Sequence, residues 1–258
     1  MAVFALVSAK GSPGVTTTVA ALAAAVVDRG EGAGLLVELD PSGGDAAMLC
    51  DRVGEAALVS FAEELRHGTP GADTVWAHTV EAPPGVPAVL GPPGATEASG
   101  VIGSLGDRWL PTLRGAAGTV VVDAGRWEPR AATARRISGA DVAGVVCRAT
   151  APSVEHTRRL VDAVRGAARC PLAVVVVGAR PYPGDEIAAV LDVPLAGVVA
   201  WDPRGVTGMW ARGEQRRGRR SWLARSAAVT LAGLEALVPA GLVQARPVID
   251  TTVGGGVR

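Results

Sequence analysis

Lysine is all but missing from this sequence: of 25 Lys and Arg residues, every one except Lys10 is an arginine. Other scarcities narrow the possibilities. The cysteines, Cys50, Cys147 and Cys170, are too few and too far apart for a disulfide framework or a cysteine-ligated zinc site. His67, His78 and His156 form no ligand cluster along the chain, and a reducing cytoplasm is the expected setting. Acids and bases cancel to a formal net charge of +0, which excludes a surface that is basic all over. Any nucleic-acid contact has to come from a local patch. No apolar run approaches the ~18 residues that a membrane span needs. The apolar start "MAVFALVSA" has no positive charge before it and leads into a Gly-rich turn, so it reads as a buried strand rather than a signal peptide.

What is present is apolar and small. Hydrophobic residues make up 48% of the 258 positions and aromatics only 3%, with 34 glycines, which suits closely packed helices around one sizeable core. Continuous apolar runs at 2–8, 34–39, 86–91, 119–124, 141–148, 172–178 and 195–200 read as strands buried on both faces, hence mostly parallel. Between them, helices are expected near 16–28, 45–66, 94–106, 130–138, 152–167, 184–191 and 221–238. The alternation predicts a single α/β domain over 1–238, a doubly wound, mostly parallel sheet with helices on both faces. Residues 68–85 and 91–100 read as surface connections, and 239–258 as a flexible tail.

In such a sheet the ligand end is the carboxyl end of the strands. There the first strand runs into "KGSPGVTTT" and an alanine-rich helix. Small residues allow backbone N–H groups between Gly11 and Thr16 to cradle phosphate oxygens at the positive end of the helix. Thr16 can place a hydroxyl on Mg²⁺, and Thr17 can reach a phosphate oxygen. The second strand ends "VELDPSGGD", where alternation turns Glu38 and Asp40 to one side of the sheet. The fourth strand ends "VVVDAG", which puts Asp123 at the end of an apolar run, a fitting position for a carboxylate that backs the magnesium. In an arginine-rich chain, the lone Lys10 at the mouth of the loop suggests that a compact ammonium is wanted there.

These residues resemble the ParA/MinD-type P-loop ATPases with a deviant Walker A motif, K-G-G-x-G-K-T-T. The corresponding stretch here is Lys10-Gly11-Ser12-Pro13-Gly14-Val15-Thr16-Thr17, and the resemblance extends through "LLVELDPSGGD", "VVVDAG" and 174–205. It is strongest to an actinobacterial branch tied to chromosome partitioning, septum placement or pilus loci. The resemblance implies a cytoplasmic homodimeric switch that binds ATP and Mg²⁺. It assigns Lys10 to the phosphates and Asp40 to the attacking water. Thr16, Glu38 and Asp123 fall near the metal, and Arg180, Pro181, Asp202 and Pro203 on the adenine side.

One departure stands out. Val15 replaces the lysine that normally neutralises the β- and γ-phosphates. Losing that contact costs about 1.5–3 kcal/mol, weakening binding ~10–100-fold, and hydrolysis suffers more. Weak binding with slow hydrolysis is therefore expected. The alternatives are a pseudo-ATPase scaffold that needs no nucleotide and, last, an ATP-dependent ligase of the dethiobiotin-synthetase kind. Arg212, Arg216, Arg217, Arg219 and Arg220 form a cluster suited to non-specific DNA phosphates or to plain solvation. The helix at 222–238 carries Leu223, Ala227, Leu231, Leu234 and Val238 at core-packing spacing. Trp127, Trp201 and Trp210 are expected to pack in the core or at a dimer face.

Overall fold

Eight strands form one sheet in the order β3-β4-β2-β5-β1-β6-β7-β8. The structure, a computed structural model, describes residues 1–10, 13–30, 33–52, 57–128, 137–211, 213 and 218–240. The strands are β1 (Ala2–Ser8), β2 (Gly34–Glu38), β3 (Val80–Glu81), β4 (Pro87–Val89), β5 (Thr119–Arg126), β6 (Val142–Arg148), β7 (Leu172–Val177) and β8 (Leu195–Val199). All neighbours are parallel except β3, which pairs antiparallel with β4 at the edge. β1 lies centrally between β5 and β6, so the chain leaving it emerges where the winding of the sheet reverses.

The described helices are α1 (Val15–Arg29), α2 (Ala46–Leu49), α3 (Ala57–His67), α4 (Ala72–Ala77), α5 (Ala95–Ser104) and α6 (Trp109–Ala116). They continue with α7 (Ala151–Ala167), α8 (Gly184–Leu191), α9 (Pro203–Trp210) and α10 (Trp222–Glu235). Alternation along the strands splits the core into layers. Phe4, Leu6, Leu36 and Val121 face α1 and α10, whose Ala20, Leu22, Leu223, Ala227 and Leu231 cover them. Val3, Ala5, Val7, Leu35 and Val37 face α3, α5 and α6 through Phe61, Ile102 and Leu113. The apolar positions 223, 227, 231 and 234 of α10 are thus core positions. No described helix is long and apolar enough to cross a membrane.

The departures from expectation have local causes. The helix expected over 45–66 is α2 and α3, because Asp51 at φ 55° stops the first. The stretch 68–85 holds α4 and the edge strand β3, where only connections were expected. Helix α6 was hidden by Pro111 and Gly115, and α9 by Asp202-Pro203, which serves as N-cap and first helical residue rather than as a turn. Residues 130–136 of one expected helix, Gly11 and Ser12, Arg212, Arg216 and Arg217, and 241–258 of the tail lie outside the described residues.

Candidate nucleotide site

The loop after β1 enters α1 through Gly14, whose φ of 94° is a left-handed conformation that glycine adopts without strain. The carbonyl of Gly14 accepts the first helical bond, from the Thr18 N–H at 2.9 Å. The amide N–H groups at this helix start therefore face out of the strand ends. Ser8 fixes the start of the loop by donating its hydroxyl to the Lys10 carbonyl at 2.9 Å. The Lys10 side chain is exposed. Val15 is 6% exposed and packs into the α1-side core, with methyl groups in place of an ammonium.

β2 and β5 align so that Glu38 sits beside Asp123. Both carboxylates are buried at 1% exposure, but their environments differ. Glu38 accepts N–H bonds from Asp45 (2.8 Å) and Ala46 (3.0 Å) on Oε1 and from Gly91 (3.0 Å) on Oε2. A residue expected near the metal thus spends both oxygens tying the loop after β2 to the loop after β4. Gly44 makes this approach possible, since a β-carbon there would lie 2.3 Å from Glu38 Oε2. Burial, then the charge of Asp123, pushes the Glu38 pKa up to about 7 against its three N–H bonds.

Asp123 Oδ1 accepts from the Gly125 N–H at 2.9 Å, and its Oδ2 is buried with no hydrogen-bond partner among the described residues. Burial pushes its pKa up to about 6; the Thr16 hydroxyl works the other way, and the charges of Asp40 and Asp45 add to the rise. Asp40 lies over Gly125, where a β-carbon would come within 2.0 Å of its carboxyl carbon. Its Oδ1 accepts from the Ser42 N–H at 2.7 Å, and burial raises its pKa. A buried carboxylate oxygen with no hydrogen-bond donor among the described residues, beside a helix-start threonine and further acids, fits a divalent cation. Thr16 and Asp123 are the residues here that would hold it.

On the other flank, one cavity of about 320 Å³ joins Pro13, Gly14 and Thr17 at the start of α1 to Val177, Val199, Trp201, Asp202 and Pro203 at the ends of β7 and β8. Its α1 end is backbone and hydroxyl, and its far end is apolar apart from Asp202. Of the residues expected on the adenine side, Asp202 and Pro203 line this cavity, whereas Arg180 and Pro181 are exposed and do not. Asp202 also joins two helices: it caps α9 through the Gly205 N–H (2.9 Å) and accepts from Trp222 (3.0 Å) and Leu223 (3.3 Å) at the start of α10. These bonds, the one from Gly205 first, hold its pKa below the usual value. Of the tryptophans expected in the core or at a dimer face, Trp127 and Trp210 are in the core and Trp201 is exposed.

The architecture now has solved counterparts. A ParA family ATPase from Chlorobium tepidum superposes with a TM-score of 0.74 over 90% of this chain and 98% of that one, at 15% identity. The cell division ATPase MinD from Pyrococcus furiosus gives 0.65 over 92% and 99%, at 20% identity. A MinD from Pyrococcus horikoshii complexed with Mg-ADP gives 0.64 over 89% and 94%, at 19% identity. The fold is that of the ParA/MinD ATPases. No protein-family model matches the chain, and neither does a curated protein sequence.

Proposed function

We propose that this ParA/MinD-fold protein is a nucleotide-dependent dimerising switch that binds Mg-ATP and hydrolyses it slowly or not at all. The role is to position a larger assembly such as a chromosome, a septum or a pilus machine. The observation that carries the nucleotide reading is the cavity with a helix N-terminus at one end and mostly apolar walls at the other. An anionic head joined to a flat apolar body matches it. Mg²⁺, when bound, would neutralise phosphate charge next to Asp123 and Thr16. Lys10 supplies the ammonium that Val15 cannot, and Asp40 holds the attacking water. Glu38 keeps the Asp40 loop in place.

Titration calorimetry with Mg-ATP and Mg-ADP on wild type and Lys10→Ala tests this reading. Micromolar-range binding that Lys10→Ala abolishes is the expected result. No heat from a well-folded wild type would leave the pseudo-ATPase scaffold, which the buried Val15 favours.

DNA contact extends the proposal. Arg219 is engaged with Asp28 at 3.0 Å, but Arg220 shares a groove with Arg204, Arg225 and the exposed Trp222. Such a groove suits phosphates through a salt-dependent contact. Retention on duplex DNA should fall steeply with salt and drop further when Arg204, Arg220 and Arg225 all become Ala. Retention indifferent to both would remove DNA from the reading.

A further inference from the structure

Trp201 is among the most exposed large apolar side chains described, at 61%, yet its backbone is firmly held. The preceding Ala200 N–H donates to Ser226 Oγ at 2.9 Å, and the following Asp202 is fixed by three N–H bonds. Beneath it, the Gly178 N–H donates to the Val199 carbonyl at 2.9 Å, which ties the ends of β7 and β8 together. Gly178 has φ +79°, and a β-carbon there would meet Trp201 Cβ at 3.9 Å. The ring therefore stands on a fixed base at the mouth of the cavity.

The ring is also partly dressed. The Arg148 guanidinium carbon, at the end of β6, lies 4.1 Å from the Trp201 ring centroid. A stacked guanidinium orients an indole and leaves its remaining surface free for a second flat partner. Trp201 lines the cavity together with Gly14 and Thr17, whereas Arg148 does not. An exposed aromatic held in position by a cation, opening onto the same cavity as a phosphate-facing helix start, calls for a ligand with a π-face joined to phosphates.

We propose that Trp201 is the base-stacking wall of the site and that it selects purine over pyrimidine nucleotides, with Arg148 as the positioning residue that orients the ring. This rests on the nucleotide reading above. A purine overlaps more of an indole than a pyrimidine does, and base–aromatic stacking of ordinary strength corresponds to a change of about tenfold to hundredfold in affinity.

The test is calorimetry with Mg-ATP, Mg-GTP, Mg-UTP and magnesium tripolyphosphate on wild type, Trp201→Ala, Trp201→Phe and Arg148→Ala. Trp201→Ala should weaken both purine nucleotides about tenfold or more and erase the preference over Mg-UTP. It should leave tripolyphosphate binding unchanged, while Trp201→Phe regains most of the loss. Arg148→Ala should lose part of the purine preference, again without affecting tripolyphosphate. Nucleotide should quench tryptophan fluorescence in wild type but not in Trp201→Phe. Wild-type affinity and base preference in a folded Trp201→Ala would overturn the proposal. Tripolyphosphate binding with no base preference in wild type would also overturn it while leaving a phosphate site intact. Binding of neither would bring down the nucleotide reading and this proposal together.

Discussion

On the β2 side of the α1 start, Glu38 is 1% exposed with three N–H groups on its two oxygens; on the tryptophan side, Trp201 is 61% exposed with one guanidinium against it. The first side is built from backbone donors that cannot move without opening the loops after β2 and β4. The second is a side chain standing out from rigid strand ends, oriented by one stacked guanidinium. On the nucleotide reading proposed above, the difference divides the labour: backbone presets the metal and phosphate end, and the base end rests on side-chain stacking. Asp123 belongs to the preset side, but its Oδ2 has no hydrogen-bond partner among the described residues. On the reading proposed above, that oxygen is where a cation would bind.

The sharpest way to break this comparison is to cut one residue from each side and measure stability rather than binding. Glu38→Ala would strand three buried N–H donors, each costing about 1–3 kcal/mol, offset in part by removing a buried charge. A net loss of about 3 kcal/mol in urea unfolding is expected. Trp201→Ala removes an exposed ring and should change stability by no more than about 0.5 kcal/mol. Comparable losses from both would mean that the tryptophan side is part of the framework, and the division of labour would fail.

The placement of Glu38, Asp40 and Asp123 at strand ends on one side of the sheet follows from apolar period and alternation, both legible in the sequence. Which oxygens are already spoken for was not legible, because it depends on a contact between Glu38 and Gly91, 53 residues apart. The metal role expected of Glu38 rested on its position in a motif, and position does not show that two loops close over it. Trp201 was obscured for a related reason. Its stacking partner Arg148 comes from another strand, and a tryptophan among valines normally reads as core, as Trp127 and Trp210 indeed are. Asp202-Pro203 carried a readable signal, an N-cap followed by proline at the first helical position, that also fits a turn. Only the four turns of α10 packed behind it decide between the two. Val15 was conspicuous from the start, but its burial against the α1-side core comes from the fold.

A smaller effect probes the preset side without breaking it. Glu38 is raised from an ordinary 4.5 to about 7, so the folded protein holds this proton more tightly than the unfolded chain does. Its contribution to stability is fully present below pH 4.5 and is lost as pH rises through about 7. Asp123, raised from 3.8 to about 6, acts with the same sign in a lower window. The melting temperature measured without Mg²⁺ should therefore decline from pH 5 to pH 7.5. In Glu38→Gln the upper part of that decline, between pH 6 and 7, should flatten by about 1 kcal/mol, roughly 2–4 °C for a chain of this size. The portion belonging to Asp123 should remain, since glutamine at position 38 leaves the neighbouring carboxyl buried. A wild-type melting temperature that instead climbs from pH 5 to pH 7.5 would mean that the two carboxylates are already ionised at little cost. In that case the loops around them would admit more water than their burial implies, and the preset side would be softer than the tryptophan side it is contrasted with.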